Sequence, residues 1–157
     1  MRMTVFILLV SFVLSLTLYG QKPVERKEKS PLNYSLFYSS KDVYLAFDEP
    51  LKPNVLTKQQ LANLLTIIER VSDSLNLRVT STNTKTGKID TLRHNYQIVS
   101  AKDNKGQSTV WVNAVCDPKK DWKKELVFIE DGGSCYYNFR VNLSQKRYYN
   151  IAVNRRG

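Results

Sequence analysis

The residues in this sequence best suited to covalent or proton chemistry at neutral pH are Cys116, Cys135 and His94, its only cysteines and its only histidine. An ordinary zinc site takes four ligands from Cys and His pairs at short spacing. This inventory does not supply them, so neither a metal nor a cofactor is expected. No nucleophile elbow, P-loop or dinucleotide fingerprint occurs. The acid–base pairing that composition permits is that of a small nuclease-like hydrolase, with His94 as general acid and Glu125 or Glu130 as base. No spacing rule brings those residues together. More conspicuous is the basic stretch Asp117-Pro-Lys-Lys-Asp-Trp-Lys-Lys124, where four lysines surround one indole.

Bulk composition sets the frame for these groups. The chain has 157 residues, 42% hydrophobic and 11% aromatic, enough for one domain with a real core. Its formal charge of +10 suits anionic partners such as nucleic acid, phospholipid or polysaccharide, and equally suits plain solubility. Met1 to Gly20 reads as a signal peptide: Arg2 supplies the positive start, and Val5 to Leu18 is apolar apart from Ser11, Ser15 and Thr17. Leu18 departs from the small residue preferred three positions before a cut at Gly20. The alternative is an uncleaved anchor, but an apolar run of about 14 to 17 residues is short against the ~20 that span a bilayer. No cysteine follows the run to take a lipid. The chain is therefore expected to be exported, periplasmic or extracellular. Residues 21–32 form a flexible, mixed-charge lead-in, and residues 33–157 a single domain.

The elements that must position the chemistry begin near Asn33. Tyr34, Leu36 and Tyr38 alternate, as do Val43, Leu45 and Phe47, which reads as a short hairpin with a short helix as the alternative. Thr57 and Gln60 make a capping box, flanked by Leu56 and Leu61. Leu61, Leu64, Leu65, Ile68, Val71 and Leu75 then form one helical stripe stopping at Asn76. Strands are expected at Leu77–Thr82, Asn95–Ser100, Gln107–Cys116, Glu125–Glu130, Ser134–Leu143 and Tyr148–Val153. Asp103-Asn-Lys-Gly106 and Asp131-Gly-Gly133 supply two of the turns. Tyr137, Phe139, Val141 and Leu143 alternate with Tyr136, Asn138, Arg140 and Asn142. Tyr149, Ile151 and Val153 alternate in the same way with Tyr148, Asn150 and Asn154. One buried and one wetter face imply an α+β fold: one amphipathic helix packed on an antiparallel β-meander of roughly four to six strands, a cystatin-like layout. The cystatin inhibitory loop has no counterpart at the Ser100–Thr109 hairpin.

That arrangement yields two expectations about sites. If Glu125–Glu130 is a strand, Cys116 and Cys135 sit at opposite ends of the sheet, ~23 Å apart at strand rise. A disulfide tolerates about 7 Å between Cα atoms. Either the pair is unbonded, or residues 117–124 fold back along the sheet. The same layout gathers Lys119, Lys120, Lys123, Lys124, Lys146 and Arg147 around Trp122, a basic rim for an anionic glycan, lipid headgroup or nucleic acid strand. The bland reading is that the lysines serve solubility and Trp122 packs over the sheet edge. Tyr136, Tyr148 and Arg140 would share the wetter face, as a grip for sugar or peptide or as stabilising cross-strand pairs.

The tail also carries a signature: Trp111-Val-Asn-Ala-Val-Cys116, Trp122-Lys, Asp131-Gly-Gly-Ser-Cys-Tyr136, Val141-Asn-Leu143 and Tyr149-Asn-Ile-Ala-Val-Asn154. It resembles the C-terminal pattern of a set of uncharacterised exported bacterial proteins. Here Arg155-Arg156-Gly157 follows, where such proteins often continue with Gly and small residues. The resemblance implies export and a shared fold, and it brings no activity. The function expected is that of a non-catalytic exported binding or interaction module whose partner is an envelope component or another exported protein. A small secreted hydrolase, or a hydrolase inhibitor, is the alternative.

Overall fold

A computed structural model describes residues 32–82, 89–118 and 121–154. The signal segment, all but the last residue of the lead-in, the Thr84–Lys88 loop, Lys119 and Lys120 lie outside the described residues. The fold is α+β, a six-stranded sheet with a helix on each face. In chain order the elements are β1 (Asn33–Phe37), α1 (Ser40–Phe47), β2 (Lys52–Pro53), α2 (Lys58–Thr82), β3 (Asn95–Lys102), β4 (Ser108–Val115), β5 (Tyr136–Asn142) and β6 (Arg147–Val153). The sheet order is β1-β3-β4-β5-β6, with β1 parallel to β3, and β2 antiparallel to the far end of β3 along the same edge. The pairs β3–β4, β4–β5 and β5–β6 are antiparallel. No helix among the described residues is long and apolar enough to cross a membrane.

Helix α2 begins as its sequence dictates. The Gln60 amide N–H donates to Thr57 Oγ1 at 3.2 Å, and the Thr57 N–H to Gln60 Oε1 at 2.9 Å. Its stripe of Leu64, Ile68, Val71 and Leu75 packs on Tyr96, Ile98, Val110, Val112, Tyr137, Phe139 and Val141, all buried. The helix does not stop at Asn76, and Leu77–Thr82 is its last part instead of a strand. Asn76 is spent on tertiary structure: its amide Nδ2 donates to Ile89 O at 2.8 Å and its Oδ1 accepts from Ile89 N at 2.7 Å. This tertiary clamp replaces the stop that an Asn reads as in isolation, and the β-branched run after it is overridden.

The Val43–Phe47 segment is helical too. Ser39 caps α1 by accepting from Asp42 N at 3.0 Å, and Asp48 ends it in the left-handed region at φ 55°. Val43, Ala46 and Phe47 are buried against Val99, Ala101 and Trp111, whereas Leu45 is exposed. The helical spacing i, i+3, i+4 wins over the alternation, because only it buries Ala46.

Over β3 and β4 the second face of the sheet is not wet. All eight residues of β4 are buried, so both of its faces are covered. Beside α1 the cover is an irregular strap, residues 121–130, and this overturns the expected strand at Glu125–Glu130. The strap is held by side-chain amides rising from the sheet. Gln97, fully buried, donates to Trp122 O at 2.6 Å and Glu125 O at 2.7 Å, and accepts from Val127 N at 2.8 Å. Asn113 donates to Val127 O at 2.7 Å, Ser35 to Lys123 O at 3.1 Å, and Asn154 to Ile129 O. Phe128 stacks on Trp111 with ring centroids 5.9 Å apart.

With the strap out of the sheet, β4 and β5 become neighbours. Cys116 and Cys135 then close on each other as a disulfide, Cα–Cα 5.1 Å. The pair is bonded because no strand from residues 125–130 stands between β4 and β5. In the chain-entropy picture this link stabilises by about 3 kcal/mol. Gly132 makes the return possible: its φ is 110°, and a Cβ there would meet the Tyr136 ring at 2.5 Å.

Candidate functional site

Past the end of α1 and away from the disulfide, the second face stays open. Here β4 contributes Thr109, β5 contributes Arg140 and Asn142, and β6 contributes Tyr149. The pairs Thr109↔Asn142 and Arg140↔Tyr149 put these side chains on one face. Phe47 closes the cleft from the end of α1, and the Asp103–Gln107 turn from the β3–β4 connection, giving a cavity of about 340 Å³. That volume is on the scale of a small-ligand site.

Its polar groups are already ordered by one another. Arg140 is half-buried; its guanidinium lies 5.2 Å from the centroid of the Phe47 ring and donates to Phe47 O at 3.0 Å. Among the described residues no carboxylate pairs with it. Thr109 Oγ1 and Tyr149 Oη lie 3.2 Å apart, and Asn142 Nδ2 donates to Gln107 Oε1 at 2.7 Å. Asn142 Oδ1 accepts from Gln145 N at 3.0 Å. Asp103 Oδ1 is held by the N–H groups of Lys105 and Gln107 at 2.9 and 2.8 Å. Two further hollows are less convergent. One, about 400 Å³, runs along the strap and is lined largely by its apolar residues; the other, about 310 Å³, lies at the disulfide end beside His94.

The residues singled out from sequence scatter over the molecule. His94 is buried beside the disulfide end, with Nδ1 2.7 Å from Asp90 O, Nε2 3.3 Å from Ser134 O, and its ring edge against Tyr137. Both nitrogens are engaged by backbone carbonyls. Glu125 and Glu130 lie on the strap, on the sheet's other face. The acid–base constellation is therefore not assembled. Among the described residues no group of three or more His, Cys, Asp and Glu side chains is placed to hold a metal ion.

The basic rim is divided. Trp122 and Lys123 sit on the strap over Gln97, whereas the 143–146 turn joins β5 to β6 at the end away from the disulfide. Gln97, Asn113, Asn138 and Ala152 form one row across the sheet, and Arg147 pairs with Asn142 beyond it. The two groups are thus roughly 20 Å apart by strand rise and spacing. Lys119 and Lys120 lie outside the described residues. Trp122 is 8% exposed, with Lys123 Nζ 5.4 Å from its ring centroid, so its indole packs inward.

The tyrosine row is also re-sorted. Asn150 adopts φ 51° and the β5–β6 register shifts between Asn138 and Arg140. An unpaired residue there reverses the alternation. Tyr149, not Tyr148, therefore shares the face of Arg140, and Ile151 packs toward α2. Arg140 was visible in the sequence as an outward residue of a patterned strand. Tyr149 was hidden by the bulge, and Gln107 and Phe47 sit in segments with no signal of a site.

No protein-family model, curated protein or solved structure matches the chain.

Proposed function

We propose that this protein is a non-catalytic exported binding module whose partner is a cell-envelope component or another exported protein. The observation that carries the reading is the cleft at the open end of the second face, where Arg140 has no carboxylate partner among the described residues and polar side chains converge. The Cys116–Cys135 disulfide is compatible with export, and the likeness of the C-terminal signature to exported bacterial proteins points the same way. The long helix laid across consecutive antiparallel strands supports a cystatin-like layout; the parallel β1 and the strap are departures from it.

Contact with an anionic envelope glycan or lipid headgroup is assigned to Lys146 and Arg147, beside the cleft, and not to Trp122 and the strap lysines. Retention on immobilised heparin tests this. Lys146→Ser/Arg147→Ser should elute at lower salt than the parent, and Lys123→Ser/Lys124→Ser close to the parent. The reverse order returns the contact to the strap. Parent-like elution of both variants removes the anionic contact altogether.

A further inference from the structure

We infer that the Arg140 cleft is a site for a single carboxylate group on a small ligand. This deepens the binding-module reading and rests on it. The reason lies in which hydrogen-bonding capacity the cleft leaves unspent. Several of its acceptors are committed internally: Asn142 Oδ1 to Gln145 N, Gln107 Oε1 to Asn142 Nδ2, Asp103 Oδ1 to two backbone N–H groups, and Phe47 O to Arg140. The Glu49 carboxylate and the second oxygen of Asp103 line the cleft without a donor among the described residues.

Beside Arg140, on the strand side of the cleft, donors remain. Arg140 spends one nitrogen on Phe47 O, and a guanidinium has five N–H groups. The Gln107 side-chain NH₂ has no acceptor among the described residues. In the Thr109–Tyr149 pair one hydroxyl donates to the other, which leaves one O–H to give. A guanidinium with no carboxylate partner among the described residues, flanked by spare donors, selects a ligand that accepts. Arg140 is held in place by the Phe47 ring and carbonyl, and its planar fork matches a carboxylate's two oxygens.

Charge narrows the ligand further. Lys105 and Arg140 line the cleft together with Glu49 and Asp103, so the lining is balanced and does not attract a polyanion. A group with one negative charge, satisfied by directed hydrogen bonds, fits this better than a dianionic phosphate. The volume of about 340 Å³ takes something the size of one sugar acid or one residue of a peptide C-terminus. Both present the same carboxylate.

Calorimetric titration of the full chain with glucuronate and with N-acetylalanine separates those two sources; glucose, N-acetylalanine methyl ester and glucose 6-phosphate serve as controls. At least one carboxylate should bind, and the neutral and dianionic controls should not. Arg140→Lys keeps the charge and loses the fork, and should weaken binding about tenfold or more. Gln107→Glu keeps the oxygen that Asn142 bonds, so the fold is retained, and replaces the donor with a repelling carboxylate; it should abolish binding. Equal binding of the neutral analogue, or carboxylate binding undiminished in Gln107→Glu, overturns the inference while leaving a binding module. If no small carboxylate binds, the inference also falls; if heparin retention is parent-like in every variant as well, the anionic-contact reading falls with it.

Discussion

Away from the apolar patch that α1 covers, the two faces of the sheet are covered by opposite means. Under α2 the contacts are side chain on side chain: Leu64, Ile68 and Val71 against Tyr96, Phe139 and Val141, all fully buried. On the other face Gln97 and Asn113 reach up from the strands and bind the backbone of an irregular strap. Apolar contact is non-directional and tolerates a regular helix of many sequences. An amide saturated by four partners fixes one path of the chain. The first face is a core that stabilises the fold. The second uses polar groups to shape a surface, and its uncovered end is the cleft.

If this contrast is right, damage to the two faces should differ in size and in reach. Phe139→Ala removes a fully buried ring from the α2 face and should cost about 3–5 kcal/mol. It should lower hydrogen-exchange protection throughout β3–β6, because the whole sheet shares that core. Gln97→Leu keeps the volume and deletes the strap's central clamp, freeing Trp122 O, Glu125 O and Val127 N. The strap can lift and hydrate those groups, so the global cost should be smaller, about 2 kcal/mol. Exchange protection should fall in residues 121–130 and stay high under α2. Equal loss on both faces would mean that the strap is part of one cooperative core, and the contrast would fail.

The same contrast explains what the sequence made legible. The α2 face was written in periodicity: the stripe from Leu61 to Leu75 and the alternation of Tyr137, Phe139 and Val141 placed a helix on strands. The strap had no such pattern. Leu126-Val-Phe-Ile129 reads as a strand because it is apolar and β-branched. What keeps it out of the sheet is Gln97, far away in sequence, which supplies the hydrogen bonds a neighbouring strand would otherwise provide. The Cys116–Cys135 link follows from that displacement, and so does the division of the basic rim. Several signature residues now have a physical role: Trp111, Asn113, Gly132, the two cysteines and Asn154 all hold the strap or its return. The cleft was least legible because it combines residues from α1, a turn and three strands. One of them, Tyr149, was placed by a bulge that no alternation rule foresees.

The smallest predicted effect concerns a polar cluster inside the α2 face. Tyr137 Oη lies 2.9 Å from Ser72 Oγ and 3.3 Å from Tyr96 Oη. Tyr137→Phe should cost only about 1 kcal/mol, because the partners keep other acceptors: Ser72 bonds Ile68 O, and Tyr96 bonds Thr91 O. Its pH dependence is the sharper test. Burial raises both phenols above the ordinary 10.0, so the folded protein holds these protons more tightly than the unfolded chain does. Their contribution is present below the unfolded pKa and is lost as pH rises past it, because only the unfolded state then gains by releasing protons. The parent carries two such phenols on this face and the variant one. The deficit of Tyr137→Phe, measured by urea unfolding at successive pH values, should therefore shrink as pH rises beyond about 10. A deficit that does not change with pH would mean that water reaches the hydroxyls, and that the α2 face is not the dry core set against the strap.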